Sequence, residues 1–557
     1  MNLKKIFIIS IIFFSLSTIN GNAFFLKNKN QLHSNDYIKN YLYGSILHNE
    51  NQHNLAAKNL NKTIKLNGKH IEYDIKYISS LVVDGRLDEA AKLIFDTDKI
   101  YSNVFLFELI KSFYFIKHKK YNSALIQLKK VKSNDPLFLE FKNTLIFWLE
   151  IENYDKDKID KIKNFRSRYL SIGLINKFLS SNYINNSQLY NSYNNKVLNS
   201  DGLIRYQVFS AWNEKRLSND KKAFEILENA ISKNDKNLLL KQTIIDFKKN
   251  NNQFLSFFNP KNFNDNIAEV FYLFSNLYQQ REDVDFSNML LSLSLELNDR
   301  FVSNYLIFFE NKILENKKDN FNYLLLSKLK NIGTEFSWYI NYQISIHNKE
   351  QSVKFLENSI NKNDLFIKNK FFDLANFYRI KKDYRRSLEY YKKIENLNAD
   401  LDWTFYYFKG ICYERLELWD MSDKNLKKSI SLSPKEYSVI NYLAYSWLER
   451  KVNIDQATKM LEDAVKLSRW ELGYIIDSLG WAYFLQKDFD KAEKLLKIAY
   501  EKTPSESEVY DHYGDVLWVQ KKFLQARYVW HNALSLESIN PEREKSIKYK
   551  IINGLKN

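Results

Sequence analysis

The segment Asp511-His512-Tyr513-Gly514-Asp515 is where residue types and spacing come nearest to a chemical site. Carboxylates four residues apart share a helix face, and an imidazole beside them could complete a metal site or relay a proton. Against this, Tyr513-Gly514 recurs at a fixed interval elsewhere in the chain, which makes His512 an ordinary packing or surface residue. The remaining inventory is thin. Eight histidines are scattered, with no His-Glu-x-x-His and no His/Cys cluster at metal spacing. There is no phosphate-binding glycine loop and no Gly-x-Ser-x-Gly elbow. The expectation is a non-catalytic chain with no catalytic residue, no metal ligand and no cofactor. Cys412 is the single cysteine and lies mid-chain, so no internal disulfide forms and a small buried side chain is expected there.

The elements that carry these residues follow from composition. Only 12 Gly and 5 Pro occur in 557 residues, while 45% are hydrophobic, with 37 Tyr and 40 Phe. Doubly wound and barrel folds need glycine at tight turns, so the scarcity predicts an all-α chain with short, repeated connections. Its length suits an elongated stack or several domains. The formal charge of +17 is read as lysines solvating helix faces, because no compact Arg/Lys cluster stands out. Lys117-His118-Lys119-Lys120 and Lys381-Lys382 fall in predicted exposed turns, and no nucleic-acid partner is expected.

The N-terminus has a layout of its own. Lys4 and Lys5 precede an apolar stretch from Ile6 to Ser17, and Gly21-Asn22-Ala23 places small residues before a cleavage point. That is the pattern of a secretory signal peptide over 1–23, with an apolar core too short to span a bilayer. No cysteine lies near the cut, which excludes lipid attachment there. The expectation is an exported, periplasmic chain, associated with the envelope at most peripherally, with no transmembrane segment after cleavage.

A 34-residue period organises the rest. In the unit 473–506, Leu479-Gly480, Tyr483, Ala492, Leu496, Ala499 and Pro504 stand at intervals that Gly514, Ala526, Trp530 and Ala533 repeat 34 residues on. Ala444, Trp447, Ala457, Leu461 and Ala464 precede them, then Gly410, Tyr413, Ser422, Leu426, Ser429 and Pro434, then Ala375, Tyr378, Ser387, Tyr391 and Ile394. Ala56, Ala90 and Ala124 recur at the same step near the N-terminus. Gly44, Leu47, Leu81, Ile94, Ser112, Phe115, Leu128 and Pro136 fit around them. This pattern resembles the tetratricopeptide repeat (TPR), and the C-terminal units are similar to those of large exported bacterial envelope proteins of that kind. The resemblance implies an α-α superhelix of antiparallel helix pairs. Small residues at positions 8, 20 and 27 let the helices approach, and a large residue at 24 fills the space between them.

The resulting map is a signal peptide over 1–23, N-terminal repeats over 24–136 and a degenerate helical-repeat region over 137–367. A C-terminal array over 368–538 and a polar capping helix over 539–557 complete it. A bend is expected in the middle, with Ser180 to Asn195 and Lys248 to Asn266, which contains Pro260, read as irregular loops. Asn540-Pro541-Glu542 reads as the start of the last helix.

In the family, the first helix of each pair lines the concave groove. The matching positions here are Tyr407, Ile411, Glu414 and Arg415; Asn441, Tyr445 and Leu448; Tyr474, Asp477, Trp481 and Phe484; and Asp511, Asp515 and Trp518. An aromatic groove with interspersed acids suits an extended or helical protein segment carrying apolar anchors and a few basic groups. The functional expectation is a protein-protein scaffold or adaptor in the bacterial envelope. The alternative is binding of peptidoglycan or another envelope polysaccharide, with the aromatic lining stacking on sugars.

Overall fold

The computed structural model describes residues 35–97, 104–153, 157–314, 331–347, 351–397 and 400–555. Residues 1–23, read above as a signal peptide, lie outside them. All the regular secondary structure among the described residues is helical. The chain divides into two compact units, 1–333 and 334–557. The division falls inside the stretch 137–367, so the pair Thr334–His347 and Gln351–Ser359 belongs with the C-terminal unit.

The C-terminal unit is a run of helix pairs. Each pair has a leading helix and an antiparallel trailing helix: Ile367–Ile380 with Tyr384–Glu395, Trp403–Arg415 with Trp419–Leu432, and Tyr437–Glu449 with Ile454–Leu467. Gly473–Leu485 with Phe489–Lys502 and Ser507–Val519 with Phe523–Ala533 continue it, and Pro541–Asn553 closes it. Asn540 caps that last helix by accepting from the Arg543 N–H, with Pro541 in its first turn. Where serine replaces alanine at position 20, its hydroxyl is satisfied without loosening the pair. Ser387 Oγ donates to the Ala375 carbonyl at 2.7 Å and Ser422 Oγ to the Gly410 carbonyl at 3.0 Å.

One turn closes nearly every pair. Two residues past the end of the leading helix the backbone turns left-handed, at Lys382, Glu417, Lys451, Lys487 and Lys521. The following N–H then reaches back into the helix: Asp383 to Tyr378, Leu418 to Tyr413, Asp488 to Tyr483 and Lys522 to Leu517. These are Schellman closures, a conformation that favours glycine. Gly85 supplies one in the N-terminal unit at φ 79°, but Lys487 holds φ 64° with a full side chain. Replacing the exposed Lys487 by Gly should raise stability by about 0.5–1 kcal/mol. A denaturation midpoint that stays put or falls would contradict this.

The N-terminal unit departs from the sequence reading in two ways. The stretch from Ser180 to Asn195 is not an irregular loop; it is the end of helix Leu170–Tyr183 and most of Ser187–Leu198. Its polar residues imitate a loop only in composition. Ser181 Oγ donates to the Phe178 carbonyl, Asn182 donates to Asn213, and Asn186 caps the second helix by accepting from the Leu189 N–H. The second stretch is irregular from 249 to 262 except for a short 3-10 turn, Gln253–Ser256, before helix Phe263–Gln280 begins.

The other departure is that this unit closes on itself. Phe271 packs edge-on against Phe113 and Phe141, Lys117 pairs with Glu296 at 2.8 Å, and Asp135 receives both Tyr278 and Arg281. At its centre Arg205 forms a two-pronged pair with Glu269, both bonds 2.8 Å, and also donates to Ser303 at 2.7 Å. Tyr206 donates to the same carboxylate at 2.9 Å, and the guanidinium lies over the rings of Phe209, Tyr272 and Phe301.

Candidate functional site: the leading-helix face of the C-terminal unit

Leading helices of successive pairs touch one another in this unit, so their outward positions form one continuous face. Of the residues expected there, Ile411 and Leu448 are buried apolar side chains, and all the others except Trp518 fall into three groups. Tyr474, 42% exposed, and Arg415 stand open to solvent. Tyr407, Glu414, Asn441, Tyr445, Trp481 and Phe484 are half-buried. Asp477, Asp511 and Asp515 are buried and engaged inside the structure.

The half-buried group makes two clusters. Tyr407 meets Tyr442 edge-on at 5.8 Å; the Tyr442 hydroxyl donates to Glu414, which also pairs with Arg415. Further along, His512 lies flat on Trp481 at 4.2 Å and Trp481 on Phe484 at 4.7 Å, giving a three-ring shelf. The Tyr445 hydroxyl donates to Glu508 at 2.9 Å. Trp518 stands apart from the shelf: it is packed among Phe523, Trp530 and Arg527, and Gly554 sits so close that a Cβ there would overlap its ring.

The buried group is an ion network. Asp477 pairs with His512 Nδ1 at 2.9 Å, Lys550 reaches Asp511 at 2.7 Å and Asp515 at 2.8 Å, and Arg543 reaches Glu508 at 2.6 Å. His512 is therefore more than a packing residue. Burial works against its charge, but Asp477, Glu508 and Asp511 outweigh burial and push its pKa up to about 9. Glu508 shows the mirror case: burial opposes its charge, yet His512, Arg543 and Tyr445 hold its carboxyl below the usual range. Burial and the neighbouring Asp511 push the Asp515 carboxyl up to about 6, against the pull of Lys550.

A pH dependence follows from His512. Its folded pKa lies above the unfolded value of 6.5, so its contribution is complete below pH 6.5 and is lost as pH rises through about 9. The shift corresponds to about 3 kcal/mol. Thermal melts of the wild type should therefore fall in Tm between pH 6.5 and 9.5, and His512→Gln should flatten that slope. Parallel slopes for the two proteins would remove the assignment.

What these clusters sit on is decided by one recurring contact. A Cβ built on Gly44 would lie 2.7 Å from Leu60 Cγ, on Gly410 2.8 Å from Leu426 Cγ, and on Gly480 2.7 Å from Leu496 Cγ. On Gly514 it would lie 2.2 Å from Trp530 Nε1. Position 8 thus meets position 24 across the pair in both units, in the register read from the sequence. The helix pairs are packed in the TPR-type fold.

No protein-family model and no curated protein matches this chain. Among solved structures, it is similar to MamA of Desulfovibrio magneticus RS-1, at 18% identity over 30% of this chain and 94% of that one, with a TM-score of 0.28. It is similar to TTC0263, a thermophilic TPR protein of Thermus thermophilus, at 17% identity over 33% and 99%, with a TM-score of 0.30. The APC/C hetero-tetramer Cut9-Hcn1 overlays 94% of this chain and 97% of its own at 13% identity, with a TM-score of 0.37. The internal register, with position 8 set against position 24, is what gives the pairs their TPR-type packing.

Among the described residues, no group of three or more His, Cys, Asp or Glu side chains could hold a metal ion. The network partners that sequence reasoning missed are Glu508, Tyr442, Arg543 and Lys550. A signal existed for the last two: they stand seven apart on one face of the capping helix, opposite acids four apart on the preceding leading helix.

Proposed function

We propose that this TPR chain is a non-catalytic scaffold that binds protein segments on the leading-helix face of its C-terminal unit. The observation that carries the reading is the His512–Trp481–Phe484 shelf, flanked by the open Tyr474 and by Tyr445. The shelf is preformed, since Asp477 and Glu508 hold its neighbours, so a partner binds without first ordering it. The rings on this face favour a segment with apolar anchors, since the acids expected there are spent on His512, Lys550 and Arg543. The site of action we propose is the bacterial envelope. The Lys4-Lys5, Ile6 to Ser17 and Gly21-Asn22-Ala23 layout supports export, and no helix among the described residues is long and apolar enough to cross a membrane.

The test is a photo-crosslinker placed at Tyr474 in the full chain, mixed with an envelope fraction, with peptidoglycan sedimentation alongside. A discrete protein adduct that is lost on Trp481→Ala is the expected result. Retention on glycan with no protein adduct would favour the polysaccharide reading in its place.

A further inference from the structure

The opposite side of the C-terminal unit, built by the trailing helices, carries a feature that the leading-helix reading does not use. Between trailing helices Trp419–Leu432 and Ile454–Leu467 lies a cleft of about 660 Å³. Its floor is apolar, formed by Ile430, Ile440, Leu443 and Met460. The junctions of the unit differ at three register positions. At the last junction of the array, positions 28, 4 and 7 are Tyr500, Tyr510 and Tyr513, whose rings meet at 4.6 and 5.3 Å and fill the space. One junction earlier than the cleft, position 28 is Glu395 and position 7 is Lys409, paired across it at 2.5 Å. At the cleft itself those positions are the aliphatic Ile430, Ile440 and Leu443, which form no polar bond across it, while the equally aliphatic Val465, Ile476 and Leu479 of the next junction are buried.

The rim carries a net positive charge, from two lysines and one aspartate. Lys427, an exposed residue, stands over the Trp447 ring, and Lys466 is exposed on the facing helix, where it pairs with Asp463 at 3.6 Å. Two helices flanking an apolar floor make a groove into which the ridge of a third helix can settle. We propose that this cleft is a second docking site, which receives an acidic amphipathic helix: apolar anchors enter against Ile430, Ile440 and Met460, and carboxylates on the flanks meet Lys427 and Lys466. The site lies on the trailing helices, away from the His512–Trp481–Phe484 shelf, so it stands or falls independently of that face.

The probe is a fluorescent synthetic peptide of about 16 residues, with leucine at i, i+3, i+4 and i+7 and glutamate at the outward positions. Anisotropy with the full chain should show saturable binding, and the same peptide with lysine for glutamate should bind far less. Ile430→Tyr with Ile440→Tyr, which copies two of the three tyrosines of the last junction, should weaken binding at least ~10-fold. Lys427→Glu with Lys466→Glu changes only exposed side chains and should weaken it by a similar factor. Trp481→Ala should leave it unchanged. Equal binding by either double variant overturns the proposal. So does no binding by the wild type, or uptake of phosphatidylglycerol vesicles in place of the peptide.

Discussion

Replacing Glu269 by Ala is expected to cost about 3–5 kcal/mol, because it leaves a buried guanidinium without its counter-charge. Arg205 is largely shielded from water: its side chain is 15% exposed, Glu269 is 1% exposed, and aromatic rings cover the guanidinium. Both carboxylate oxygens bond the guanidinium, and one of them also accepts from Tyr206, so the substitution removes three charge-assisted bonds. The joint replacement Arg205→Met with Glu269→Leu removes both charges at similar volume and should cost less than either charge-stranding single change. Equilibrium unfolding followed by hydrogen exchange over the helix Phe263–Gln280 reads both effects. A loss below about 1 kcal/mol for Glu269→Ala would mean that water or another anion reaches the site.

Trp530→Ala is expected to cost a similar amount, about 3–5 kcal/mol, at the end of the C-terminal unit. The indole is fully buried, donates to Asp515 at 3.1 Å and fills the hollow over Gly514. Gly514→Ala probes the same contact from the other side and should cost about 1–3 kcal/mol, since the indole cannot yield as a flexible chain end would. Combining Gly514→Ala with Trp530→Leu recreates the pairing of Ala444 with Leu461 in an earlier repeat. The two costs should then be less than additive. Strict additivity in the four-protein cycle would show that position 8 does not read position 24.

How much of this was legible in the sequence depended on which residues carried the information. The pairs of the C-terminal unit were readable because Gly480, Ala492 and Ala499 have few roles other than close approach, and they recur in step. The stretch around Ser180 was not readable, because Ser and Asn within helices bond their own carbonyls or each other and look the same in composition as loop residues. The closing of the N-terminal unit was invisible for another reason. Asp135 with Tyr278 and Lys117 with Glu296 are distant in sequence, and no repeat pattern announces a contact between remote turns of a stack. On the leading-helix face, the register located Asp477, Asp511 and Asp515 but said nothing of whether they faced solvent or a counter-ion. For Asp511 and Asp515 that was decided by the capping helix, whose Lys550 reaches back across the last pair, and for Asp477 by His512 of the next leading helix.

That capping helix bears on how the molecule comes apart. A linear stack ordinarily frays from its ends, where a terminal element has one neighbour instead of two. Here the last helix is riveted through Lys550 to Asp511 and Asp515 and through Arg543 to Glu508, while His512 fastens its pair to the one before. The helix Pro541–Asn553 should therefore exchange its amide protons more slowly than a terminal element of a stack ordinarily does.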